Sequence, residues 1–223
     1  MLKIISDGGM PSKNFPNYTE TSFLIACNKK YVSGLKVDIY ITKDLKFVLA
    51  NEEVLRKIGI DEAYIQTHTY KHLKKINYGS KIKAHYLVDL ETLFNICNRV
   101  SYIIINICNK YLNDKEINSL NNILIKNNSK KLLVASSSTD ILSKLNNKLK
   151  KGLFISNKND WEYSYSFYIT DEVNINEKVI QNKLKNDVLI FIYCKNKCDI
   201  FNEYNNDKLF IISPYFNYIY FEK

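Results

Sequence analysis

The stretch from residue 34 to residue 44 decides the fold of this chain, and it reads Gly-Leu-Lys-Val-Asp-Ile-Tyr-Ile-Thr-Lys-Asp. Apolar residues alternate with polar ones, which is the period of a β-strand, and the run ends in a polar turn. Lys36 and Asp38 therefore share one face of the strand, about 7 Å apart along it. An ion pair is the ordinary explanation of two such neighbours. A functional site at the strand end is the alternative.

Strands and helices alternate over most of the remaining chain. Further strands are predicted over residues 2–6, 46–50, 102–108, 132–136, 152–156, 188–193 and 209–213, and helices over 16–30 (with Thr19 as the cap), 89–99, 115–126, 139–149 and 172–185. Eight strands separated mostly by helices predict an α/β fold, an irregular TIM (β/α)8 barrel. The irregularity is expected between the second and third strands, because the link from residue 41 to residue 46 is too short for a helical crossover.

A barrel of this kind carries its active site where the strands end in the loops that lead to the helices. Several polar residues follow or end predicted strands and are therefore the candidates for function: Asp7, Asp38, Asn51, Asn106, Cys108 and the serines at 136–138.

Length and composition are those of one globular domain. The 223 residues are 46% hydrophobic, and no linker divides them, so residues 1–223 are expected to form a single barrel. The charged, irregular residues from about 52 to 86 are interpreted as a small inserted segment over the barrel mouth. No apolar run is long enough to cross a membrane, and the first residues turn polar too early for a signal peptide, so a cytoplasmic location is expected.

Net charge narrows the possible partners only a little, and the cysteine content indicates the redox state of the thiols. Thirty-two basic and 23 acidic residues give a net charge of +9, which favours anionic partners. No nucleic-acid-binding motif accompanies this charge, so nucleic acid is not expected as a partner. The five cysteines contain no C-x-x-C pair and are expected to be reduced, mostly buried thiols.

Eight short segments, in order along the chain, share a pattern with one known family. They are residues 4–9 (I-I-S-D-G-G), 16–19 (P-N-Y-T), 34–44, 47–54, 69–79, 90–93, 105–108 and 136–142. The order and spacing of the segments resemble the glycerophosphodiester phosphodiesterases, whose motifs include I-[AG]-H-R-G, P-E-N-T, G-x-E-x-D and V-V-x-H-D. The resemblance implies an irregular TIM barrel of the type shared with phosphatidylinositol-specific phospholipase C.

The resemblance also implies where the family places its chemistry. Active members use two histidines for proton transfer, carboxylates that hold Ca²⁺ or Mg²⁺, and an Arg and a Lys that bind the phosphate. In this chain Asp7 stands for the first His, Gly8 for the Arg, Lys36 for the first metal-binding Glu, Ala50 for the second His, Asn51 for its neighbouring Asp, Asn106 for the third metal ligand and Cys108 for the Lys. Asp38 alone is retained.

These departures predict a catalytically inactive member of the family that binds a ligand or regulates through the old active-site mouth. No catalytic residue is assigned, because Asp7 and Ala50 occupy degenerate positions. No metal cofactor is expected, since one carboxylate cannot supply the oxygen ligands that these ions require. The candidate ligand-binding residues are Asp7, Lys36, Asp38, Asn51, Asn106 and Ser136, and the expected ligand is a glycerophospho compound or another small anion.

Two alternatives stay open at the level of sequence. The first is an active phosphoric diester hydrolase with rebuilt catalytic groups, for which His68, His72 and His85 are the available imidazoles. The second is an interaction subunit that contacts a protein partner through the aromatic residues at 161–168 or 215–221.

Overall fold

A closed ring of eight parallel strands organises the computed structural model, which describes residues 3–79, 83–97, 99–129, 131–194 and 206–213. The strands are β1 (Lys3–Asp7), β2 (Val32–Ile41), β3 (Phe47–Leu49), β4 (Val88–Asp89), β5 (Tyr102–Ile107), β6 (Leu132–Ser136), β7 (Lys150–Phe154), β8 (Phe167–Asp171), β9 (Leu189–Tyr193) and β10 (Leu209–Ser213). The ring runs β1-β2-β5-β6-β7-β8-β9-β10 and closes where β10 pairs with β1. The predicted (β/α)8 barrel is confirmed.

The membership of the ring differs from the prediction at two strands. The strand predicted at residues 46–50 is β3, which pairs antiparallel with β2 as a hairpin and lies outside the ring. A short link permits only this antiparallel pairing, and it is the cause of the irregularity. The eighth ring strand is β8, which the sequence did not reveal because both of its faces are buried and it shows no polar alternation.

The helices lie mainly outside the ring, and several are shorter than predicted. They are α1 (Glu20–Asn28), α2 (Glu52–Ile58), α3 (Glu62–Thr67), α4 (Tyr70–Leu73), α5 (Leu90–Ile96), α6 (Asp114–Lys126), α7 (Thr139–Lys144) and α8 (Glu177–Lys185). Thr19 caps α1 through a capping box, as its sequence position indicates. No described helix combines the length and apolar character needed to cross a membrane.

The inside of the barrel is filled by apolar side chains beneath a polar upper layer. Phe167, Phe191 and Phe210 lie in one interior cluster, and the rings of Phe191 and Phe210 stack with centroids 4.8 Å apart. Strand register places Asp7 beside Lys36 and Asp38 beside Asn106, one layer above this cluster. The fold thus places a layer of polar side chains at the upper end of the barrel, directly above a layer of packed apolar side chains.

Candidate functional site

A buried ion triad lies at the carboxyl ends of β1 and β2. The Lys36 ammonium is 2.7 Å from each carboxylate oxygen of Asp38 and 3.2 Å from Oδ1 of Asp7. All three residues are at least nine-tenths buried. The alternation read from the sequence put Lys36 and Asp38 on one face, and parallel pairing with β1 adds Asp7.

Three further groups donate hydrogen bonds to the carboxylates of the triad. Asn106 Nδ2 lies 2.5 Å from Oδ1 of Asp38, and the Tyr193 hydroxyl lies 2.6 Å from Oδ2 of Asp7. The Tyr18 hydroxyl lies between the two carboxylates, 2.9 Å from Asp38 Oδ2 and 3.3 Å from Asp7 Oδ1. The carboxylates are therefore surrounded by donors, which offsets the loss of water on burial.

Burial and charge determine the protonation of these groups. Burial alone would lower the pKa of Lys36, but the charges of Asp38 and Asp7 outweigh it and raise that pKa well above its usual value. Burial raises the pKa of Asp7, although the nearby ammonium opposes this. Burial and the carboxylates raise the pKa of the Tyr18 and Tyr193 hydroxyls as well. At neutral pH the site therefore holds an ammonium group and two neutral phenols.

Tyr18 reaches the triad because Gly8 leaves room for its ring. A Cβ atom on Gly8 would lie 2.3 Å from Cε2 of Tyr18, so any side chain there would displace the tyrosine. Tyr18 itself has a φ of 60°, a left-handed conformation that non-glycine residues adopt at a cost. According to the resemblance, Gly8 stands where the family has its phosphate-binding Arg. In this chain the place of a side chain on Gly8 is taken by the Tyr18 phenol, which faces the ion triad.

An open cavity of about 740 Å³ lies above the triad, at the mouth of the barrel. Tyr40, Phe154 and Tyr193 supply its aromatic lining. Five acidic residues also line it: Glu52, Glu53, Glu62, Asp171 and Glu172. Lys110 lines it as well.

The sequence did not predict these aromatic residues, the five acidic residues or Lys110 as part of the site, and it did not predict Tyr18. Tyr193 and Phe154 could have been found, because each ends or lies near the end of a predicted strand. Asp171 was missed together with β8. Tyr18 has no comparable signal, because it comes from a loop that folds over the strand ends.

The other sequence-predicted residues are only partly brought together. Asn51 lines the cavity, and its side-chain oxygen accepts a hydrogen bond from Val54 N as the cap of α2. Ala50 is fully buried, and its backbone N–H donates to the Asp38 carbonyl oxygen. Ser136 is buried beside β5, where its hydroxyl donates to the Ile107 carbonyl, and the cavity is lined by the following serine instead.

The three histidines lie apart from the ion triad. His68 and His72 pack with Tyr64 on α3 and α4, with 3.9 Å between the Tyr64 and His68 ring centroids. His85 lines a second cavity, of about 590 Å³, and its Nε2 is 3.2 Å from the Asn14 carbonyl oxygen. None of these imidazoles is among the described residues that line the mouth cavity.

The family's divalent cation does not fit the donors at this position. The Lys36 ammonium contacts both carboxylates, so a cation beside them would meet a positive charge at close range. The remaining contacts of the carboxylates come from two neutral phenol hydroxyls and one amide N–H, none of which adds a negatively charged oxygen, whereas Ca²⁺ and Mg²⁺ favour several oxygen ligands that include carboxylates. Over the described ranges, His, Cys, Asp and Glu form no group of three suited to holding a metal ion.

Of the two aromatic segments predicted to contact a protein partner, the structure describes only the first. Trp161 and Tyr168 are buried and pack against each other with ring centroids 5.3 Å apart, so they belong to the core. Tyr163, with half of its surface exposed, is the exposed aromatic residue of that segment. Residues 215–221 lie outside the described residues.

Comparison with known proteins identifies the fold through structure and not through sequence. No protein-family model matches the sequence, and no curated protein matches it. Solved structures do match. A phosphodiesterase of Oleispira antarctica, in complex with the product sn-glycerol-3-phosphate, has a TM-score of 0.78 at 14% identity, covering 96% of this chain and 93% of that one.

Two other matches agree with the first. The glycerophosphodiester phosphodiesterase of Thermotoga maritima has a TM-score of 0.73 at 19% identity, with 96% and 95% of the two chains covered. A Galdieria sulphuraria protein that carries the same name provisionally has a TM-score of 0.79 at 13% identity, with 98% and 95% covered. The chain is therefore a (β/α)8 barrel protein. More narrowly, its barrel is similar in structure to those of glycerophosphodiester phosphodiesterases.

Proposed function

We propose that this chain is a member of the glycerophosphodiester phosphodiesterase family that binds a small ligand at the barrel mouth without hydrolysing a phosphodiester. One observation carries the proposal: the Lys36 ammonium lies between Asp7 and Asp38, where the resemblance implies a metal ion in active relatives. The shared fold supports the family, and the cavity above the triad supports ligand binding.

The acid–base groups support the same proposal. Ala50 carries no proton, and the resemblance assigns its position to a catalytic histidine. Loss of a positioned acid or base lowers a rate by about 10² to 10⁴-fold. With both histidine positions changed and a lysine in the metal position, we expect no measurable turnover of glycerophosphodiesters.

Hydrolysis and binding should be measured separately. The first experiment incubates the purified protein with glycerophosphocholine and Ca²⁺ or Mg²⁺ and measures release of glycerol 3-phosphate. We expect no release above the protein-free control. The second experiment is isothermal titration with glycerophosphocholine and with glycerol 3-phosphate, the ligand class suggested by the resemblance and by the Oleispira antarctica complex.

An active hydrolase is a second candidate function because of the Asp7 carboxyl group. Burial raises the pKa of Asp7, and a raised pKa is what a carboxyl group needs to act as a general acid. The donors that surround Asp7 favour its ionised form, which is why we prefer the binding function. Metal-dependent turnover that disappears in an Asp7→Asn variant would replace our proposal with this one.

The cytoplasmic location expected from the sequence also stays a prediction. Fractionation of cells that express the natural protein, followed by immunoblotting of the soluble and membrane fractions, tests it.

A further inference from the structure

We propose that the ligand of the mouth cavity is a small organic cation that carries two or more ammonium groups, of the linear polyamine class. This inference rests on the proposed binding function, because it names the ligand class of the same cavity. It departs from the expectation of a small anion, which came from the positive charge of the whole chain and from the resemblance.

The charge of the cavity is opposite to the charge of the protein. The chain as a whole carries +9, yet seven carboxylates and only two lysines line this cavity. A cavity lined by one sign of charge concentrates ligands of the opposite sign. A phosphate group entering the mouth would therefore be repelled, whereas an ammonium group would be attracted.

The two lysines do little to change this balance. Lys36 is already neutralised, because it contacts the carboxylates of both Asp7 and Asp38. Lys110 is exposed at the rim and makes no ion pair within the described part of the chain. Among the described lining residues, it is the one cation left to oppose the acidic rim.

Most of the rim carboxylates are available to a cationic ligand. Glu53 is paired with Lys57 at 2.7 Å. Glu62 and Asp171 accept hydrogen bonds from neutral amide groups, which orient the carboxylates and leave their charge uncompensated. Glu52 and Glu172 are exposed and form no ion pair among the residues that the structure describes.

The position of these carboxylates suits a ligand with charge at both ends. Glu52 begins α2 and is separated by two residues from the end of β3, which pairs with β2, whereas Glu172 directly follows β8. In the ring of eight strands, three strands separate β2 from β8 in either direction. The two residues therefore follow strands on opposite sides of the ring, and a linear polyamine, with an ammonium at each end, matches this arrangement.

The aromatic walls add a second feature that favours an organic cation. Phe154 and Tyr193 line the cavity with ring centroids 6.2 Å apart. The Lys36 ammonium already lies 5.1 Å from the Tyr193 ring centroid, so this ring accepts a cation–π contact within the protein. Methylene groups between ammonium groups can pack on these rings, whereas a hydrated metal ion would gain little from them.

Isothermal titration of the full chain with spermidine tests the inference. We expect saturable one-site binding that weakens as the ionic strength rises. In the double variant Glu52→Gln/Glu172→Gln we expect the Kd to rise about tenfold or more, since each lost charge removes a favourable contact. The matched control is Asp187→Asn/Asp207→Asn, which removes two charges before β9 and β10, at the opposite end of the barrel, and should leave the Kd unchanged.

Each outcome decides between the two proposals. Equal weakening in both double variants, or no heat with spermidine, overturns the polyamine inference. Binding of glycerol 3-phosphate without binding of spermidine overturns it too, but leaves ligand binding at the mouth in place. Release of glycerol 3-phosphate from glycerophosphocholine contradicts the proposed function itself, whatever spermidine does.

Discussion

Lys36 is the residue on which the site depends most. Its ammonium is buried and contacts two carboxylates that would otherwise face each other with no cation between them. A buried ion pair is not by itself strongly stabilising, because both charges lose water. Removal of one partner is costly, however, since the other charge remains buried and unpaired.

We therefore expect Lys36→Met to lower the free energy of unfolding by about 3–5 kcal/mol, measured by urea denaturation. Lys46→Met is the control, because Lys46 forms an exposed pair with Glu91 at 2.7 Å. Its loss should cost at most about 1 kcal/mol. In the double variant Lys36→Met/Asp38→Asn, part of the stability should return, since one unpaired charge is removed with the lysine. Equal effects of the two single variants would contradict the role given to Lys36.

Asp44 predicts a pH dependence of stability. Burial by itself would raise its pKa, but hydrogen bonds from the Thr42 hydroxyl and the Tyr70 backbone N–H outweigh burial and lower the pKa. A lowered pKa in the folded state contributes stability above the unfolded value of about 3.9, and the contribution is lost as the pH falls through the folded value.

The stability difference between the wild type and Asp44→Asn should therefore shrink as the pH falls below about 4. Thermal unfolding across a pH series measures it. Asp207→Asn, an exposed substitution before β10, should change stability by no more than about 0.5 kcal/mol throughout. A difference for Asp44→Asn that stays constant down to low pH would refute the expected linkage.

At the level of elements, the turn after β1 determines how the loop before α1 reaches the site. Gly8 has a φ of 67°, and the Tyr18 ring lies where a side chain on Gly8 would be. Tyr18 N also donates to the Gly8 carbonyl oxygen at 2.7 Å. The turn after β1 and the loop before α1 are therefore held together by this hydrogen bond and by the packing of the Tyr18 ring against Gly8.

Substitution Gly8→Ala should destabilise the protein for two reasons: alanine disfavours the positive φ at this position, and its methyl group would overlap the Tyr18 ring. Gly59→Ala is a matched control, because Gly59 has a φ of 71° and no atom lies within 4 Å of the place that a methyl group on it would occupy. We expect Gly8→Ala to cost about 1–3 kcal/mol more than Gly59→Ala, since overpacking adds to the backbone term. Chemical denaturation of the two variants gives the difference, and equal losses would exclude a steric role for Tyr18.

At the scale of the whole molecule, the barrel closes over an aromatic interior that supports the polar layer above it. Phe210 on the closing strand β10 stacks on Phe191 of β9, and both rings are fully buried. The floor under the site therefore depends on strands from the end of the chain. The site residues Asp7 and Lys36 come from its beginning.

Truncation of this floor should destabilise the entire barrel. We expect Phe210→Ala to cost about 3–5 kcal/mol, measured by thermal unfolding at several scan rates. Leu24→Ala on α1 is the control, because the Leu24 side chain is 39% exposed and should cost much less. A comparable loss in both variants would show that the interior cluster does not dominate stability.

Local pattern was enough to find most strands of the barrel and to name all three residues of its ion triad as candidates, Asp7 from its place after a predicted strand and Lys36 and Asp38 from their shared strand face. Alternation in residues 34–44 follows from the geometry of one strand, so Lys36 and Asp38 are placed on one face without any tertiary information. The short link after residue 41 likewise predicts an irregularity, because chain length limits the possible connections.

Tertiary structure alone decided which strands close the ring, what surrounds the triad and what charge the mouth carries. β8 has no alternation because both of its faces are buried, and Tyr18 reaches the site through a loop conformation that no periodicity encodes. The acidic rim combines residues from α2, α3 and the end of β8, which are far apart along the chain. The net charge of +9 is a sum over all residues, whereas the field at a cavity depends on the few residues that folding brings to it.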